Sequence, residues 1–164
     1  MTSCMACEPG FYARDLGSII CQPCDVGRFS ITFGIPECIE CHKGHFADSP
    51  QSTTCKECTV GSFSAGLGST SCSACPMGRY AAGTGSVRPH PHNCSRFEKD
   101  LNVHIFHRQV ECYPCSAGEF GSDIGATACG ECSAGYFADI QGQSTCSLCP
   151  KGSSNPLFGQ SQCQ

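Results

Sequence analysis

The sequence predicts a small disulfide-rich fold: an elongated tandem array of ~17-residue β-hairpin or turn units, with little or no helix outside residues 87–109. Three observations carry this. Cysteine supplies 18 of the 164 residues, about 11% and above the roughly 8–10% that marks a disulfide scaffold. Val, Ile, Leu and Phe together supply 28 of the 164, about 17% and below the roughly 20% expected of a chain that packs a conventional core. Eight Cys-x-x-Cys pairs begin at Cys4, Cys21, Cys38, Cys55, Cys72, Cys112, Cys129 and Cys146, and the step between them is constant from Cys4 to Cys72 and again from Cys112 to Cys163. A fixed period of this kind marks a repeat whose single unit cannot bury a core by itself.

Counting from the second cysteine of each pair as position zero, every slot of the unit has a physical reason. Glycine occupies +3 in all eight units, from Gly10 to Gly152, and +10 in seven, with Gln51 in the eighth place. These are turn positions where a side chain would penalise the backbone. An aromatic occupies +5 in seven units (Tyr12, Phe29, Phe46, Phe63, Tyr80, Phe120, Phe137), and Ser154 stands in the last. As the one large apolar group per unit, it is expected over the disulfide and against its neighbour. The short stretch between the two glycines suits a brief hairpin. No stretch outside the anomalous one holds a 3.6-residue period free of Gly or Pro. Such an array is quasi-one-dimensional, each unit touching only its neighbours. The side chains at +4, at +6 to +9 and inside each Cys-x-x-Cys are then the exposed, variable ones.

The shortest pairing that chains the units joins position zero to +14: Cys7–Cys21, Cys24–Cys38, Cys41–Cys55, Cys58–Cys72, Cys115–Cys129, Cys132–Cys146 and Cys149–Cys163, with Cys75–Cys112 as the eighth bond. Each short loop of about 15 residues is worth roughly 3 kcal/mol in the chain-entropy picture. Spacing alone does not fix connectivity, so an interlocked scheme, first cysteine to first and second to second, stays open. Cys4 and Cys94 are left unpaired.

The rhythm breaks once. Deleting the segment Val87 to Gln109 places Cys112 at +14 from Cys75 and restores the repeat. The segment has no glycine, four of the six histidines and four of the ten Lys and Arg side chains. The chain therefore divides into repeats at 1–86, an anomalous insertion at 87–109 and repeats at 110–164. One reading of the insertion is a retained intron, since valine codons begin GT, glutamine can be encoded CAG, and a run of whole codons keeps the frame. A splice joining Ser86 to Val110 is its signature. A second is a genuine loop, tolerated because closure entropy grows slowly with length. A third is a metal or ligand loop of His90, His92, Cys94, His104 and His107, whose spacings match no standard zinc pattern. Asn93-Cys94-Ser95 is a glycosylation sequon, which makes Asn93 a candidate acceptor.

The pattern Cys-x-x-Cys-x-x-Gly-x-aromatic-x4-Gly-x3-Cys-x-x-Cys, clearest in CQPCDVGRFSITFGIPECIEC and CSACPMGRYAAGTGS, resembles the cysteine-rich repeat of ephrin receptor tyrosine kinases. More loosely it is similar to tumour-necrosis-factor-receptor modules and to Cys-x-x-Cys surface antigens of protists. The ephrin-receptor-like resemblance implies an extracellular, rod-like, non-catalytic segment. It carries over no kinase or ephrin-binding activity.

Composition narrows the function classes further. A net charge of −4 gives no electrostatic case for nucleic acid, and no stretch is long and apolar enough for a membrane span. Met1-Thr2-Ser3-Cys4 is no signal peptide, whereas the cysteines ask for an oxidising compartment. The expectation is a piece of a longer secreted or membrane-tethered protein, or a gene read without its first exon. An intracellular zinc array of Cys-x-x-Cys pairs is the chemical rival, and a secreted ligand-binding module is the other. Redox catalysis at Cys-Lys56-Glu-Cys lacks the helix N-terminus that lowers a thiol pKa. Calcium at Asp15, Asp48, Asp123 and Asp139, all at +7 or +8, lacks a full ligand set. The expected function is a non-catalytic extracellular or cell-surface spacer and interaction segment, with a protein or glycan partner and no cofactor.

Overall fold

The computed structural model describes residues 5–84 and 111–164. Among them there is no helix, and the regular structure is seven two-stranded antiparallel hairpins. In chain order these pair β1 (Phe11–Tyr12) with β2 (Gln22–Pro23), β3 (Arg28–Phe29) with β4 (Ile39–Glu40), and β5 (His45–Phe46) with β6 (Lys56–Glu57). They continue with β7 (Ser62–Phe63) and β8 (Ser73–Ala74), β9 (Arg79–Tyr80) and β10 (Tyr113–Pro114), β11 (Glu119–Phe120) and β12 (Gly130–Glu131), and β13 (Tyr136–Phe137) and β14 (Ser147–Leu148).

The hairpin is drawn differently from the sequence expectation. Its first strand is +4 and +5, but its second is the dipeptide inside the next Cys-x-x-Cys, not a segment between the two glycines. The reason is the turn that opens each unit. The +4 amide donates to the +1 carbonyl, as in Phe11 to Glu8 and Arg28 to Asp25 at 3.0 and 3.1 Å. Glycine stands at the third place of that turn with φ between 76 and 90° from Gly10 to Gly152, the geometry of a type II turn. The strand leaving this turn then meets the chain where it returns to its disulfide.

Eight disulfides link the units in series: Cys7–Cys21, Cys24–Cys38, Cys41–Cys55, Cys58–Cys72, Cys75–Cys112, Cys115–Cys129, Cys132–Cys146 and Cys149–Cys163. The interlocked pairing does not occur among the described residues. Cys75–Cys112 spans 37 residues with the Cα–Cα distance of 5.6 Å also found in the 14-residue bonds. Its hairpin carries the same register, Tyr80 opposite Tyr113 and Arg79 opposite Pro114. Residues 87–109, with Asn93, Cys94 and the four histidines, lie outside the described residues, as does Cys4.

Sulfur and small side chains form the core. Cys24, Cys41, Cys58, Cys75, Cys115 and Cys132, each at position zero, are essentially inaccessible. So is +6: Ser30, Ala47, Ala81 and Ala138 are at most 1% exposed, and Ser64 and Asn155 are also buried. This corrects the expectation that +6 is a variable exposed slot. The buried hydroxyls are paired, Ser64 Oγ to Ser69 Oγ at 2.6 Å and Ser30 Oγ with the Gly10 amide at 3.2 Å, so they escape the penalty of an unpaired buried polar group. The +5 aromatics are half-buried. Phe63 packs on Cys75, Ala81 and Cys112 of the following unit, and the Tyr80 and Tyr113 rings lie 6.2 Å apart across their hairpin.

A regular backbone ladder joins successive units. At all seven junctions the +3 glycine amide donates to the +6 carbonyl of the next unit at 2.7–3.0 Å, and its carbonyl accepts from the next position-zero amide at 2.8–3.0 Å. Two further bonds recur at six junctions, from the +10 amide back to the previous position-zero carbonyl and from the +6 amide to the next +11 carbonyl. The stack also reaches beyond nearest neighbours, against the neighbour-only expectation. A Cβ on Gly10 would sit 2.5 Å from the carbonyl oxygen of Gln51, two units on, and nearer still to the matching oxygens at Gly27, Gly61, Gly78 and Gly118. The +3 glycine is therefore required twice, by its turn and by this close approach.

Gln51 is the one described non-glycine residue with positive φ, 61°, at a slot filled elsewhere by glycine. Gln51→Gly relieves left-handed strain of about 1–2 kcal/mol and gives back part of it as unfolded-chain entropy. A gain of about 0.5–1 kcal/mol is expected, read as slower exchange of the Gln51 amide and its junction neighbours. Faster exchange would show that the Gln51 side chain stabilises the turn by more than its backbone strain.

Candidate functional site: the outer face of a disulfide-stapled stack

Because position zero, +3 and +6 are consumed by the stack, what remains for recognition is the exposed second strand of each hairpin and the loop at +7 to +9. The second strands are mostly solvent-facing, with Ile39 49% and Leu148 67% exposed. Large apolar side chains recur at +9: Leu16, Phe33, Leu67, Ile124 and Phe158 are all well exposed. The sequence reading treated +9 only as variable. The signal it passed over is an apolar residue immediately before the +10 glycine in five units.

Charge is organised across hairpins and junctions. Arg28 Nη2 contacts Glu40 Oε1 at 2.7 Å across β3 and β4. Glu37 Oε1 lies 3.3 Å from Arg14 of the preceding unit and 3.5 Å from Arg28. These are exposed pairs, each contributing about 0–1 kcal/mol. Arg28 and Arg79, both at +4, also donate to the carbonyls of the +14 cysteines Cys38 and Cys112. Lys56 Nζ sits 2.8 Å from both carboxylate oxygens of Asp48 and 5.9 Å from the Phe46 ring centroid. Its hydrogen bond, with a second from Ser49, holds the Asp48 carboxyl below its usual range. That contribution is present at neutral pH and lost as pH falls through the lowered value. Both side chains are solvent-exposed, and screening there keeps it small.

The four aspartates considered for calcium stand in separate loops. Asp48 is taken by Lys56, Asp123 is bonded by Ser122 at 3.3 Å and Asp139 by Gln143 at 3.2 Å, while the Asp15 carbonyl accepts from Ser18. Among the described residues no group of three or more His, Cys, Asp or Glu is placed to hold a metal. All sixteen described cysteines are in disulfides, which leaves zinc no thiolate there. Cys55 and Cys58, flanking Lys56, bond to Cys41 and Cys72 and not to each other. No described helix is long and apolar enough to cross a membrane.

Serial hairpins, each closed by its own disulfide and stitched to the next by backbone bonds, define a small disulfide-rich tandem repeat array. Residues 44–90 match the family described as tyrosine-protein kinase ephrin type A/B receptor-like, a non-catalytic repeat type, and the same disulfide-closed unit recurs among the described residues on both sides of that match. No curated protein matches the chain.

Proposed function

We propose that this chain is an extracellular spacer and interaction segment of a larger secreted or cell-surface protein, with repeats at 1–86 and 110–164 and an anomalous insertion, a retained intron or a loop, at 87–109. The observation that carries it is the junction. Covalent closure of every unit, with backbone bonds to the next and steric contact two units on, resists bending without a large core. Residues 87–109 follow +11, the last slot used in junction bonds elsewhere, and the described hairpin and disulfide on either side of them keep the register of the other units. A protein or glycan partner at the cell surface meets the +7 to +9 loops and the outer strands. The zinc array is the weaker reading, since the described cysteines hold no free thiolate.

Small-angle scattering of the oxidised chain tests the spacer role. A compact chain of this length has a radius of gyration of about 15 Å, and a stiff stack should exceed it clearly, with a rod-like cross-section. A radius near the compact value would remove the spacer reading.

A further inference from the structure

We draw no further inference here: the strongest candidate, the carboxylate pair on the β11–β12 hairpin, which sets Glu119 directly opposite Glu131 at the register that holds Arg28 against Glu40 and His45 against Glu57 elsewhere, is an acidic cluster and nothing in the structure shows what occupies it.

Discussion

Full reduction in the presence of a chelator is expected to unfold the whole array. Seven of the eight disulfides close loops of 14-residue separation, each worth roughly 3 kcal/mol. Their sum, on the order of 20 kcal/mol, exceeds the about 5–15 kcal/mol net stability of ordinary domains. The remaining core cannot make up the loss. Its inaccessible side chains are chiefly the cystines themselves and the small groups at +6, and the +5 aromatics, present in seven of the eight units, are only half-buried. Such minimal hairpins are not stable alone in water. Amide dispersion in a proton–nitrogen correlation spectrum should collapse on reduction, and added zinc should not bring it back. Retained dispersion after complete reduction without metal would mean that backbone stitching alone holds the stack. Recovery with zinc would revive the thiolate-metal reading.

The repeat was legible because cysteine and glycine report local covalent and steric needs directly. The constant step between cysteine pairs, the glycines at +3 and +10 and the aromatic at +5 sufficed for a hairpin-and-disulfide array with no helix among the described residues. What the sequence hid concerns where each unit's surface goes once it is stacked. The second strand lies inside the following Cys-x-x-Cys, so side chains such as Ile39 and Lys56, which read as spacers between cysteines, belong to half of a hairpin. The +6 slot read as variable, yet Ala13, Ser30, Ala47, Ser64, Ala81, Gly121, Ala138 and Asn155 are nearly all small. That restriction was the trace of backbone packed against backbone, visible in retrospect as an absence of large side chains. Contact two units on was not legible at all, since glycine at +3 was already explained by its turn. A residue type satisfied by one constraint gives no sign of a second. The recognition surface is the least legible part, because exposed loops carry no periodic requirement.

The second constraint on +3 glycine is separable from the first by position. Gly78 has φ 79° and Gly152 has φ 88°, so an alanine at either meets nearly the same backbone penalty, about 1–2 kcal/mol. They differ in what the new methyl would strike. At Gly78 it lands on the carbonyl oxygen and carbon of Gly142, two units on, whereas at Gly152 nothing lies within 4 Å. A backbone carbonyl cannot swing aside as a flexible side chain does, and forced repacking adds typically about 1–3 kcal/mol or more. Gly78→Ala is therefore expected to lose about 4 kcal/mol, and Gly152→Ala about 1–2 kcal/mol. The loss at Gly78 should also be shared. Its displaced contact lies beside the bond from the Gly121 amide to the Gln143 carbonyl, 3.0 Å, so that amide should lose exchange protection although Gly121 is in the next unit. Hydrogen exchange with the disulfides intact reads both effects amide by amide, without assuming that the array unfolds in one step. Equal losses at Gly78 and Gly152 would mean the turn alone demands the glycine. A deficit confined to the Gly78 turn would reduce the stack to nearest neighbours. A deficit spread into the Gly121 and Gln143 units makes each glycine a joint between three units, and a rod built of such joints stiffens beyond what its disulfides provide.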